Sequence, residues 1–144
     1  MKQLLLSSLV ILGNPRNFFN CQQLRYKSKE RKQIKNSFGY NNIQDHHCIP
    51  KQWKKHKIIR DTHFDINSAS NLLFMPTHKG KLYLNLHPNT RVHEGGHPQY
   101  NKFIKKELDT IEKGEDVDYK KYKLWIMVTY LKDHLLEDEN DIPW

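Results

Sequence analysis

The sequence predicts a small α+β domain, and three observations carry that expectation. Two short apolar stretches, residues 43–49 and 72–75, are each followed by a proline, Pro50 and Pro76, which reads as two strands ending at their prolines. Two later stretches, 98–113 and 117–136, repeat apolar residues at helical spacing. The apolar share is 37% and the charged share 28%, so the core is modest and long polar connections surround it. A chain of 144 residues is enough for one such domain.

Taken in order, the chain opens with an apolar run at 4–12 behind Lys2. That run falls short of the roughly 20 residues that span a bilayer. Asn14-Pro15-Arg16 follows it, where a secretory segment would carry a small-x-small cleavage pattern. The first 29 residues hold no acid but include Arg16 and Arg25, a composition compatible with an organellar transit peptide. A short helix or strand docked on the domain is the alternative. The basic run 25–35 reads as a helix or a flexible arm, and 36–42 as a turn-rich linker.

Residues 43–49 form the first expected strand. Lys51, Lys54, Lys55 and Lys57 then surround Trp53, a single tryptophan better suited to core burial than to stacking on a base. Between 61 and 71, Asp65 or Asn67 is expected to cap a short helical turn through its side-chain oxygen. The second strand follows. His78-Lys79-Gly80-Lys81 reads as a turn and 82–86 as a short apolar segment broken by His87-Pro88-Asn89. The first helix places Phe103, Ile104, Leu108 and Ile111 on one face, with Pro98 suited to its first position and Gly114 to its stop. The second carries Tyr122, Trp125, Ile126, Val128, Tyr130, Leu131 and Leu135. The acidic end 137–141 is expected to fray. No stretch suits a membrane helix, so no integral membrane association is expected.

The formal charge is +8, and its distribution is more telling. Residues 1–40 contribute +7, residues 41–107 contribute +6 and residues 108–144 contribute −5. A basic front and an acidic tail point to a phosphate-rich partner for the front; a solvated charged surface is the plainer reading. Cys21 and Cys48 make neither a disulfide framework nor a CxxC metal site. An intracellular, reducing compartment is therefore expected, with Cys48 packed in the core.

Nine histidines are the most informative feature. His56, His63, His78, His87 and His134 follow no pattern and read as surface or loop residues. The other four form two clusters, His46/His47 and His93/His97. Neighbours on a strand point to opposite sides, so one of the first pair can ligate a metal while the other faces a substrate. The second cluster spells His93-Glu94-Gly95-Gly96-His97, formally the zinc-protease pattern. That pattern needs an unbroken helix. Two interior glycines cost about 1 kcal/mol each, and Pro98 would clash with the Glu94 carbonyl. The better reading has both histidines as ligands at a helix N-terminus, with a third from the first cluster. Three imidazoles with open positions make a catalytic site. A closed, stabilising zinc site with Cys48 as fourth ligand is the alternative.

Three blocks in order resemble the AHH branch of the HNH (ββα-metal) nucleases. They are His46-His47-x-Ile49-Pro50, Asp65-Ile66-Asn67-Ser68-Ala69-x-Asn71 with Pro76 beyond the strand, and His93-x-Gly95-x-His97-Pro98-x-Tyr100-Asn101. The likeness covers about residues 43–108. Asp45 stands where the branch has alanine, and since general HNH enzymes often have Asp-His there, Asp45 and His46 form an alternative register. The resemblance implies a ββα-metal core elaborated with further helices. It implies His47 as general base, Asn71 as the residue that holds the loop and that base in place, and His46, His93 and His97 as ligands to one divalent ion. Imidazoles suit Zn²⁺, Ni²⁺ or Mn²⁺ better than Mg²⁺, although family members often work with Mg²⁺.

The implied function is a metal-dependent endonuclease acting on nucleic acid, DNA before RNA. Lys51, Lys54, Lys55 and Arg91 would contact substrate phosphates. A cognate inhibitor or immunity protein would be a further partner if the chain is a toxin. A nucleic-acid-binding or structural-zinc module of the same fold, without catalysis, is the rival. The expected division is a basic N-terminal extension, targeting segment or arm, at 1–40, a nuclease module at 41–114, and a C-terminal helix with an acidic tail packing on it at 115–144.

Overall fold

The computed structural model of the protein describes residues 24–138 and 140–144. The apolar run 4–12, Cys21 and the targeting reading built on that segment lie outside the described residues. The expected α+β class is the one observed. Strands β1 (Ile43–His47) and β2 (Leu72–Pro76) pair antiparallel, with Ile43 opposite Pro76, His46 opposite Leu73 and His47 opposite Leu72. Every residue of β2 is buried, whereas β1 shows buried and more exposed positions along its length. β1 can therefore present side chains to two different environments.

Five helices surround the sheet among the described residues: α1 (Lys29–Ser37), α2 (Lys57–Asp61), α3 (His78–Tyr83), α4 (Pro98–Glu112) and α5 (Val117–His134). The last two carry the bulk of the core. Ile104 and Leu108 of α4 and Leu124, Val128 and Leu131 of α5 are fully buried, each burial worth about 1.5–3 kcal/mol. Pro98 occupies the first turn of α4, where a missing N–H costs nothing. Tyr100 then donates to the Cys48 carbonyl at 2.5 Å, which fastens the start of α4 to the end of β1.

Local chemistry departs from the sequence-based expectation in three places. Residues 78–81 are the first turn of α3 rather than a loop turn. Thr77 caps it by accepting from the Gly80 amide at 2.9 Å. Gly80 is there for close approach, since a Cβ would fall 1.8 Å from the Asn42 carbonyl oxygen. Asp65 and Asn67 do not cap a helical turn; Asp65 Oδ1 accepts from the Asn67 amide at 3.0 Å, a side-chain-closed turn. Ser68 precedes the 3₁₀ turn Ala69–Asn71 with no side-chain cap.

The basic run 25–35 supplies the body of α1, whose N-terminus is capped by Ser28 Oγ on the Arg31 amide at 3.1 Å. Glu137 and Asp138 of the acidic end, expected to fray, are hydrogen-bonded to the loop ahead of Arg91. Glu137 bridges to Thr90, and the Asp138 amide donates to the Asn89 carbonyl at 2.9 Å.

α5 also reaches across to the loop ahead of β2. Lys132, 2% exposed, donates to the carbonyls of Ala69 and Ser70 at 2.9 and 3.1 Å. A buried ammonium is tolerated when such bonds replace its water. Among the described residues no helix is long and apolar enough to cross a membrane.

Candidate active site

β1 ends in two histidines that see different surroundings. His46 is 4% exposed and meets the segment that leads into α4. One ring nitrogen each from His46, His93 and His97 lie within 4.8 Å of one another. His93 is placed by both strands: its amide donates to the Pro76 carbonyl at 2.8 Å, and its Nδ1 sits 2.9 Å from Gln44 Oε1. Its Nε2 is left for a ligand. His97 precedes Pro98 as the residue flanking α4 and makes no side-chain cap bond.

Gly95 has φ +69, and a Cβ at Gly95 or Gly96 would meet nothing within 4 Å. At Gly95 the glycine thus serves a left-handed backbone rather than a tight fit. No helix runs through 93–97, and Glu94 accepts from the His78 amide at 2.7 Å. A protease helix with Glu94 as base is not built.

The three rings fit a metal ion. Nε2 of His46 and Nε2 of His97 are both buried without a hydrogen-bond partner, and a buried unpaired polar atom costs about 1–3 kcal/mol. A bound cation would satisfy both. Burial, with the neighbouring His93 and His97, holds His46 well below its ordinary pKa of 6.5, and burial also lowers His93 and His97. The rings are thus neutral near pH 7, as ligation requires.

Cys48 does not complete the set. It is fully buried in the core, where burial pushes its thiol up to about 11. Asp45 does not join either. Its carboxylate, 3% exposed, is bound by the Arg31 guanidinium and by Lys35 at 2.7 Å. It is an internal ion-pair partner where the family's pattern has alanine.

His47 occupies the other environment. Its Nε2 lies 3.1 Å from Asn67 Oδ1, and the Tyr26 ring meets it edge-on at 4.7 Å. Burial lowers its pKa, opposed by the Asn67 bond and assisted by Lys51. Its charge would also depress His46 and His93, so the two environments are close neighbours.

Asn71, fully buried, hydrogen-bonds to backbone and not to the histidine rings. Its Oδ1 accepts from the Ile49 amide at 2.7 Å, and its Nδ2 donates to the carbonyls of Ile49 and Ile66 at 3.0 and 2.9 Å. Its own carbonyl accepts from Cys48 at 2.8 Å. It clasps the exit of β1 to the loop that carries Asn67.

The cationic candidates separate. Lys51 sits 3.7 Å above the Tyr26 ring, and with Lys54 it lines a cleft beside His47. Lys55 is exposed and outside that cleft. Lys57 is committed to Asp61 at 2.5 Å and Glu112 at 3.0 Å. Arg91 departs from the expected phosphate contact: it is buried, donates to the Ile142 carbonyl at 3.2 Å, and lies 5.2 Å from the Trp144 ring centre.

Trp144 was not foreseen as part of the site. Its indole lies on the His97 ring, centres 3.9 Å apart and tilted 30°, and 5.2 Å from His46. Asn67 and Tyr26 were likewise unassigned, because nothing local distinguishes a turn asparagine or an arm tyrosine from its neighbours. A family model described as a nuclease family of the HNH/ENDO VII superfamily with conserved AHH matches residues 27–124. No curated protein and no solved structure matches the chain.

Proposed function

This chain belongs to the AHH family of nucleases in the HNH/ENDO VII superfamily, and from that premise we propose that it is a metal-dependent endonuclease. It would hydrolyse nucleic-acid phosphodiester bonds, DNA in first place. The observation that carries the reading is the split between adjacent histidines: His46 joins His93 and His97 around one point, while His47 stands apart against Asn67 and Tyr26, two residues that line a basic cleft. Asn67 Oδ1 can only accept a hydrogen bond, so His47 Nε2 carries the ring proton and Nδ1 is the basic nitrogen. With its pKa held below 6.5, that nitrogen is free at neutral pH to take a proton from an attacking water.

A divalent ion held by His46, His93 and His97 would, when bound, polarise the phosphate and stabilise charge growing on the leaving oxygen. Asn71 and Asn67 act through position. One fixes the chain after β1, and the other fixes the tautomer and angle of His47. Family chemistry leaves 5′-phosphate and 3′-hydroxyl ends.

Plasmid cleavage with Mg²⁺, Mn²⁺, Ni²⁺ and Zn²⁺ tests the reading, with EDTA and His47→Ala as controls. Nicking or linearisation by the wild type alone, lost in EDTA, is expected. A folded, metal-loaded protein that cleaves neither plasmid, single-stranded DNA nor RNA would overturn it. One observation favours a second reading, a structural-zinc module without catalysis: Trp144 lies over two of the rings. Under that reading His47→Ala leaves every property intact.

A further inference from the structure

Residues from the N-terminal extension and from the first half of the module meet beside His47. Tyr26, Lys27, Lys51, Lys54, Ile66 and Asn67 line a cleft of about 400 Å³. Both walls are anchored. On one side the Tyr26 amide donates to the Asn67 carbonyl at 3.0 Å, and the Arg25 guanidinium is bound by Asp65. On the other, Pro50 leads into the 3₁₀ turn Lys51–Trp53, and the Trp53 indole donates to the Asn101 carbonyl of α4 at 3.1 Å.

Charge is concentrated here and left uncancelled. Lys51 and Lys27 flank the Tyr26 ring, their ammoniums 3.7 and 5.6 Å from its centre. Among the described residues, Lys27, Lys51 and Lys54 form no ion pair. The nearby acids face elsewhere: Asp45 is taken by Arg31 and Lys35, and Asp65 by Arg25. Three ammoniums beside one cleft repel one another and are relieved by a multiply charged anion. The ring of Tyr26 and the side chain of Ile66 add apolar surface, which suits the sugar and base of a nucleotide and not a bare inorganic ion. Tyr26 and Asn67 each touch both the cleft and His47, so a strand held there continues directly to the base.

We propose that this cleft is a subsite for a nucleotide flanking the bond to be cleaved, with Lys27, Lys51 and Lys54 on its phosphates and Tyr26 and Ile66 under its sugar or base. The subsite rests on the nuclease reading above, which it deepens. It also gives the segment ahead of α1 a role in substrate binding, with Tyr26 holding Lys51 in place. The charge that matters is the unpaired set at the cleft rather than the basic run as a whole.

Fluorescence anisotropy tests it, using the metal-free chain in EDTA so that binding is read without turnover. The probe is a fluorescein-labelled single-stranded oligonucleotide titrated at several salt concentrations. The variants are Lys27→Ala/Lys54→Ala and a matched control on exposed lysines outside the cleft, Lys32→Ala/Lys106→Ala. Circular dichroism confirms that both are folded. The cleft pair is expected to bind severalfold more weakly, with the slope of log affinity against log salt reduced by about 0.7 per lysine removed.

The control pair is expected to stay close to wild type. Equal losses in the two pairs would reduce the cleft to a general basic patch, and an unchanged cleft pair or absent wild-type binding would overturn the subsite. Cleavage is scored separately with metal. A chain that binds through the cleft but never cuts keeps the subsite and loses the nuclease; a chain that cuts with cleft-independent binding does the reverse.

Discussion

The two faces at the end of β1 differ in almost every physical respect although adjacent residues make them. On the His46 face ring nitrogens from three histidines converge, two of them buried without partners, beside Trp144 and Tyr100. The His47 face is basic, with one half-buried ring held by an asparagine beside three lysines that form no ion pair among the described residues. The first environment selects a cation that replaces lost hydrogen bonds. The second, under the function proposed above, would receive an anion and keep a base neutral. A strand is the economical way to put both within reach, because successive side chains leave it on opposite sides.

Substitutions can break this contrast on either side. The largest effect is expected from His97→Ala, which removes a ligand and leaves His46 Nε2 buried and unpaired. Metal content and cleavage should both fall to background, and added metal should no longer raise the melting temperature; retention of the metal would show that the ion sits elsewhere.

Next comes Asn71→Ala. It deletes three buried hydrogen bonds and leaves the Ile49 amide unsatisfied, so chemical denaturation should show a loss of about 2–4 kcal/mol. An unaltered midpoint would mean that the clasp contributes nothing to the fold.

Smaller and more diagnostic is Asn67→Ala. Partners that orient such groups are worth roughly 10–100-fold, and the change should appear in the rate with metal content untouched. The pH profile carries the sign. Burial holds His47 below 6.5, so the rate should fall on the acid side as the base is protonated, with the midpoint of that fall below pH 6.5. The Asn67 bond raises that pKa within the lowered range. Its removal should therefore move the acid limb to lower pH, and a shift upward would contradict the assigned bond.

Much of this architecture could be read from the chain, and what could not has a common cause. Both strands, α4 and α5 announce themselves through local patterns, a proline stop or a helical repeat. Each is set mainly by neighbours in sequence. The candidate ligands were legible in part for the same reason: Gly95 and Pro98 forbid a helix through His93 and His97, which leaves both at a helix start, while His46 as their third partner came from the family resemblance.

Arg91 shows where the reading stops, since a charged residue in a loop carries no sign that it will be buried against Ile142 and Trp144. α3 was missed because Gly80 resembles a turn residue, while its real constraint, the Asn42 backbone, lies far away in sequence. Asn67 reaches His47 across 20 positions, and Tyr26 reaches Lys51 across a similar gap. Tertiary placement of this kind leaves no periodic trace. Lys27, Lys51 and Lys54 likewise acquire a shared meaning only once the chain has folded around them.

The separation of the two faces can be measured directly by elemental analysis of desalted, metal-loaded protein, with plasmid cleavage on the same samples, for wild type, His46→Ala and His47→Ala. His47→Ala is predicted to carry the wild-type metal content and cut nothing, while His46→Ala carries no metal and cuts nothing. Loss of metal from His47→Ala, or cleavage that survives in it, would contradict the assignment of ligand and base to the two sides of one strand.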